Sequence, residues 1–195
     1  SPFLFTGTVF STGGYSAMYG QALSSTLTLS TDDLAAESST GLSITEVGIG
    51  ANHTERWKNT QLSVEGSYSN LLPYFWINTQ NTDWIKAPET GTGSLIFRQK
   101  TSQTGIFKIY GTFSTNHTGI RFKSLSDSGY KDAFDLKNTN YYINSSYRDY
   151  FGKWGFFSGA SYSKSSDNIN FDTLPGSSIP ISRVQELAQA KVYFT

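Results

Sequence analysis

The ten residues QLSVEGSYSN, at positions 61–70, place Leu62, Val64 and Tyr68 on one parity and Gln61, Ser63, Glu65, Ser67 and Ser69 on the other. A period of two with one apolar and one polar side is the mark of a β-strand. Moving outward, residues 105–115 oppose Phe107, Ile109 and Phe113 to Lys108, Thr112 and Ser114, with Ile106 and Tyr110 breaking the polar side. Residues 154–164 oppose Trp154, Phe156, Ala160 and Tyr162 to Gly155, Gly159, Ser161 and Ser163. Residues 188–194 alternate Ala188, Ala190, Val192 and Phe194 with Gln189, Lys191 and Tyr193. Weaker strands are expected at 94–100 and at 134–147, the latter with Tyr141, Ile143 and Tyr147 in phase. In 43–51, Val47, Ile49 and Ala51 agree while Leu42 and Ile44 sit on the opposite parity. A bulge near Glu46 would reconcile the halves. Residues 182–190, SRVQELAQA, contain good helix formers and a Ser182/Gln185 capping-box spacing, but their alternation runs on into Val192 and Phe194 and reads as strand. The chain is therefore expected to be all-β, an antiparallel meander.

Composition narrows what such strands can do. Charged residues make up only 15% and aromatics also 15%, at a formal net charge of +0. This excludes a basic nucleic-acid binder and a polybasic membrane-surface protein. With no cysteine at all, disulfide stapling, thiolate catalysis and cysteine zinc sites are excluded too. No apolar run is long enough for a membrane-crossing helix, so any crossing must use tilted strands. The pattern gives about seven strands of roughly nine to thirteen residues, the length a tilted membrane strand needs. Few charges, many aromatics and much Ser, Thr and Asn suit a β-barrel wall between lipid and a wet lumen. A secreted soluble β-sandwich or small barrel, acting as a carbohydrate- or protein-binding module or adhesin, has a similar balance. That alternative would turn Leu62, Val64, Tyr68, Trp154, Phe156 and Tyr162 into a closed core.

Chemistry is sparse. His53 and His117 both lie in Asn-His-Thr, at expected strand ends, with no ligand cluster around them. Asp32-Asp33 and the acids of 127–132 lack a glycine-bearing calcium loop and read as solvated connectors. No nucleophile elbow, phosphate loop or dinucleotide fingerprint occurs, so no catalytic residue, metal site or cofactor is assigned. The connector 71–88, LLPYFWINTQNTDWIKAP, holds the best candidates for ligand contact: Tyr74, Trp76 and Trp84, with Phe75 beside them, could stack on a sugar or an aromatic siderophore, or clamp a partner protein. An interfacial aromatic girdle, or packing against the neighbouring strand or plug, is the preferred explanation of them, and Trp57, Tyr150, Phe151 and Trp154 invite the same girdle reading.

The N-terminal stretch 13–31, GGYSAMYGQALSSTLTLST, ends in a strand-like alternation of Leu23, Leu27 and Leu29 with Ser and Thr. It resembles the end of the plug domain of TonB-dependent outer-membrane receptors of the Bacteroidetes type. The words Arg56-Trp57-Lys58-Asn59, Tyr68-Ser69-Asn70-Leu71, Gln80-Asn81-Thr82-Asp83-Trp84, Lys86-Ala87-Pro88-Glu89 and Phe134-Asp135-Leu136-Lys137-Asn138 are similar to the same family. The resemblance implies a fragment: residues 1–34 the C-terminal part of the plug, and 35–195 the first strands of a partial outer-membrane β-barrel. It implies a bacterial outer-membrane location and uptake of a nutrient or metal chelate without chemical conversion. The implied partners are outer-membrane lipid, the remainder of the receptor and, for the full-length protein, a TonB-type energy-coupling complex. Taken alone, such a fragment would expose two sheet edges and is expected to form a homo-oligomer.

Connector lengths raise a conflict. Short connectors, 54–59, 102–104 and 149–153, follow the odd-numbered expected strands, and long ones, 71–92, 116–133 and 165–183, follow the even-numbered ones. Barrels put long loops outside, yet a chain arriving from the plug enters its first strand from the periplasm, which would make the first, short connector external.

Overall fold

The computed structural model describes residues 7–13, 26–30, 34–124, 129–174 and 177–195. Strand β1 (Gly7–Ser11) pairs antiparallel with β2 (Thr26–Ser30) in a two-stranded sheet. Residues 14–25, which carry the most specific part of the resemblance, lie outside the described residues. The remaining strands are β3 (Ser39–Thr45), β4 (Gly48–Arg56), β5 (Thr60–Asn70), β6 (Asp83–Lys100), β7 (Ile106–Lys123), β8 (Lys131–Phe151), β9 (Trp154–Leu174) and β10 (Ser177–Phe194). They form one eight-stranded sheet in chain order, each strand antiparallel to the next. The all-β antiparallel meander expected from the alternation is the observed fold, and 182–190 is strand within β10.

The expected bulge near Glu46 is instead a hairpin. β3 and β4 are joined by Glu46 and Val47 alone, and the register pairs Leu42 with Ala51 and Ile44 with Ile49. Reversing the chain direction puts residues of opposite sequence parity on one face. No Asn-Gly or Asp-Gly marks this turn, so the sequence carries no local turn signal. Gly48 follows it because a Cβ there would sit 2.7 Å from the backbone oxygen of Tyr68. The next two-residue turn, between β8 and β9, does follow turn chemistry: Gly152 has φ +65°.

The extra strand removes the connector conflict. Counting from β3, the connectors 57–59, 101–105 and 152–153 all lie at the end where β3 begins, and 46–47, 71–82, 124–130 and 175–176 lie at the far end. The supposed long connectors are themselves mostly strand. β6, β7 and β10 run for 18 residues and β8 and β9 for 21, rather than nine to thirteen. Their far halves were missed because they are polar on the face that is apolar nearer β3.

A short helix, α1 (Leu72–Ile77), occupies the β5–β6 connector, where the sequence reading placed none. Pro73 in its first turn and Asn70 Oδ1, which accepts from the Leu72 amide at 2.8 Å, were the available signals. The histidines are also corrected: His53 lies inside β4, and His117 lies well inside β7.

Candidate functional site

The site is the sheet itself, read as two faces. Ladder register places Leu42, Ile44, Ile49, Val64, Tyr68, Leu95, Phe113, Tyr141, Ile143, Tyr162 and Val192 on one face, called here the Val64 face. All of these are exposed, Leu42 at 81% and Ile44 at 83%. The opposite face, through Ser63, carries the buried polar side chains Gln61, Ser63 and Arg98, with Gln61 only 4% exposed. Among the described residues, the buried apolar side chains are just Ala87, Ile96 and Ile106. The usual arrangement, apolar within and polar without, is inverted here.

The apolar band has defined limits. Its far margin is a row of rings, Tyr68, Phe113, Tyr141 and Tyr162, with Phe113 and Tyr141 centred 5.0 Å apart. Its near margin holds Trp57, Phe151, Trp154 and Phe194, and Phe194 packs 5.1 Å from Phe156. From Tyr141 to Phe151 the strand rises about 33 Å, which at the roughly 40° tilt of membrane barrels spans about 25 Å. That is the height of the lipid-facing band of an outer-membrane barrel, with aromatics at both borders.

Past the far margin the sheet changes sign. There the Val64 face carries Asp83, Glu89, His117, Arg121, Asp135 and Lys137, while the other face carries Trp84, Ile120, Phe134 and Phe171 in one register row. Phe134 and Phe171 meet edge to face at 6.5 Å, and Phe122 lies 6.3 Å from Phe171. In β8 alone the switch is visible: Phe134 and Leu136 belong to one face, and Tyr141, Ile143 and Tyr147 to the other. A strand that swaps its apolar side partway along is matched to two surroundings in succession.

Below that switch the Ser63 face is a hydroxyl and carboxamide wall. Thr90 Oγ1 donates to Asn116 Oδ1 at 2.9 Å, Asn116 Nδ2 to Asn138 Oδ1 at 3.3 Å, and Asn138 Nδ2 to Asp167 Oδ1. Asn140 Nδ2 donates to Ser114 Oγ at 3.3 Å in the next row. Near the start of β3 the incoming chain is fastened to this face. The Ala35 amide donates to Gln61 Oε1 at 2.7 Å, the Arg56 Nε donates to the Ala35 carbonyl at 3.1 Å, and Arg98 Nη1 donates to Gln61 Oε1 at 3.3 Å.

Apart from Lys137, the charged side chains named in the far region are paired with one another. Lys86 and the Tyr68 hydroxyl, bonded to Glu89 at 3.0 and 2.9 Å, hold its carboxyl below the usual carboxylate range. Lys131, 2.7 Å from Asp83 Oδ2, does the same for Asp83, helped by Arg121. His117 stands between two acids, Nε2 3.0 Å from Asp135 and Nδ1 3.8 Å from Glu89. The acids approach opposite ring nitrogens, an arrangement for ion pairing rather than for converging on one ion. Among the described residues no group of three or more His, Asp or Glu could hold a metal.

The three candidates for ligand contact are separated by the structure. Trp84 lies on the Ser63 face in the register row of Ile120, Phe134 and Phe171, and stacks on Phe75 of α1 at 5.2 Å and 12°. Its Nε1 is buried without a hydrogen-bond partner. Tyr74 reaches the same cluster through Phe75, 6.2 Å away, and is itself exposed. Trp76 is 77% exposed and lies apart from these stacks. Sequence reasoning missed the aromatic row of Phe134 and Phe171, and the polar wall. Their signal was present, as Thr112-x-Ser114-x-Asn116 and Ser161-x-Ser163-x-Ser165-x-Asp167, but it was treated as the silent side of each strand.

No family model, no curated protein and no solved structure matches the chain.

Proposed function

We propose that the chain is part of the wall of a larger bacterial outer-membrane β-barrel, a TonB-dependent receptor that imports a nutrient or metal chelate without converting it. The observation that carries this is the inverted sheet. Leucine, isoleucine, valine and aromatic side chains face outward over a band about 25 Å tall, edged by rings, while the other side carries mainly hydroxyl, carboxamide and charged side chains. In this reading the Val64 face meets lipid, the hydroxyl and carboxamide wall faces the lumen, and the far ends of β6–β10 stand outside the cell. The end where β3 begins is then periplasmic, with no connector longer than five residues, and residues 1–34 belong to the plug that fills the lumen. The Ala35 contacts to Arg56 and Gln61 support a junction of plug and wall at this point.

The sheet also supports the need for more chain. β3 and β10 are its outermost strands, each with one edge unpaired among the described residues, and β10 is exposed on both faces. In lipid such edges cannot stand open, so the remainder of a receptor closes the barrel and the isolated piece self-associates. The soluble sandwich would need Val64, Tyr68, Trp154 and Tyr162 packed inward, and their exposure weighs against it.

Vesicle flotation tests the proposal. The chain should float with phospholipid vesicles after urea and carbonate washing, and should require detergent for extraction. A monomer in plain buffer, by size-exclusion chromatography with light scattering, would overturn it.

A further inference from the structure

Within the apolar band lies a recess that the fold does not require. A groove of about 460 Å³ runs across β5 to β9, floored by Gly93 and Gly111 and walled by Val64, Leu95, Phe113 and Ile143. Neither floor glycine is imposed by the backbone, since the positive φ recorded belongs to Gly152. Nor does packing impose them: a Cβ on Gly93 or Gly111 would meet nothing nearer than 3.9 Å. These positions could carry side chains at no cost within the sheet, yet they leave a furrow, distinct from a second groove of about 570 Å³ that lies around Gly66 beside the edge strand β3.

What lies above the furrow points to its occupant. Tyr141 and Tyr162 close its upper side. Beyond them on the same face come the hydroxyls Thr115, Thr139 and Ser166, in one register row, and then Lys137, exposed and without an acid partner among the described residues. Lys164, beside Tyr141 in the ladder, is neutralised by Glu186 at 2.7 Å, which leaves Lys137, two residues past Thr139, as the cation next to the hydroxyl shelf. Apolar furrow, hydroxyl shelf and cation follow one another along the strands in the order of an amphiphile's tail, ester region and anionic head.

We propose that this groove seats one acyl chain of an anionic phospholipid, with the phosphate at the level of Lys137. The proposal rests on the membrane-wall reading and adds to it a preferred lipid site where generic lipid contact would need none. The test is native mass spectrometry of the whole chain, released from detergent micelles containing phosphatidylglycerol or phosphatidylcholine. One phosphatidylglycerol should be retained per chain. The double variant Gly93→Leu/Gly111→Leu, whose new side chains fill the floor, should lose about tenfold in retention, roughly the cost of displacing a chain segment. Lys137→Gln should erase the preference for phosphatidylglycerol over phosphatidylcholine. Undiminished retention in the glycine variant, with its strand circular dichroism intact, would overturn the proposal. Flotation separates the two levels: a chain that enters vesicles but retains no lipid overturns the groove alone, and one that never enters them overturns the wall reading as well.

Discussion

Leu95 is the residue at which the two readings of this sheet differ most in cost. It is exposed at the middle of the apolar band, between Val64 on β5 and Gly111 on β7. In water Leu95→Arg on a strand surface should change stability by no more than about 0.5 kcal/mol. Facing lipid at mid-depth it should cost about 2–4 kcal/mol, measured as a shift in denaturant midpoint for the chain folded in vesicles. Ser114→Ala, on the polar wall, should stay within about 1 kcal/mol, because one hydroxyl contact is lost. Glu89 supplies a pH test at the same scale. Its folded-state pKa is lowered, so it stabilises the fold above the ordinary carboxylate range and loses that contribution as pH falls through the folded value. Glu89→Gln should therefore flatten the acid limb of the stability profile, as followed by circular dichroism between pH 7 and pH 3. At this scale the sequence was legible in its apolar set but not in its direction. Alternation assigns Leu62, Val64 and Tyr68 to one face, and only surroundings decide whether that face is in or out.

Among the elements, the β3–β4 hairpin shows what period-two reading can lose. Its turn, Glu46-Val47, has no glycine or asparagine, and a two-residue reversal preserves the face while flipping sequence parity. A single bulged strand and a tight hairpin therefore look alike on paper. The distinguishing residue is Gly48, where a Cβ would press on the Tyr68 backbone oxygen. Gly48→Ala should cost about 1–3 kcal/mol, the range for forced backbone shifts in a packed site, while Gly66→Ala, with nothing nearer than 3.9 Å, should cost less than half as much. Comparing the denaturant midpoints of the two variants decides it. The long strands failed for another reason. β7 from Thr115 onward and β8 before Asn140 keep their ladders but move their apolar side chains to the other face, and a search for one continuous stripe stops at the switch. α1 was hidden by its brevity, although Asn70 and Pro73 marked its start.

At the level of the whole molecule, the low charge content and abundance of rings agreed with a two-faced wall, and the described structure has that form. Strand number came out one short, and with it the assignment of connectors to ends; restoring β3 and β4 as a pair places the two longest connectors, 71–82 and 124–130, together at the end away from where the chain enters. The grouping of Tyr74, Trp76 and Trp84 was legible only in part, since Trp84 shares its register row with Ile120, Phe134 and Phe171, the last two on strands about fifty and ninety residues away, a placement that no local pattern encodes. The absence of native cysteine makes the central claim open to direct measurement. Single cysteines placed in turn at positions 140–145 of β8, spin-labelled in phospholipid vesicles, would report collision with membrane-soluble oxygen and with a water-soluble nickel chelate. The wall account predicts that 141, 143 and 145 favour oxygen and that 140, 142 and 144 favour the chelate, in strict alternation. Equal access of both quenchers to 141, 143 and 145, or protection of these positions from both, would contradict it.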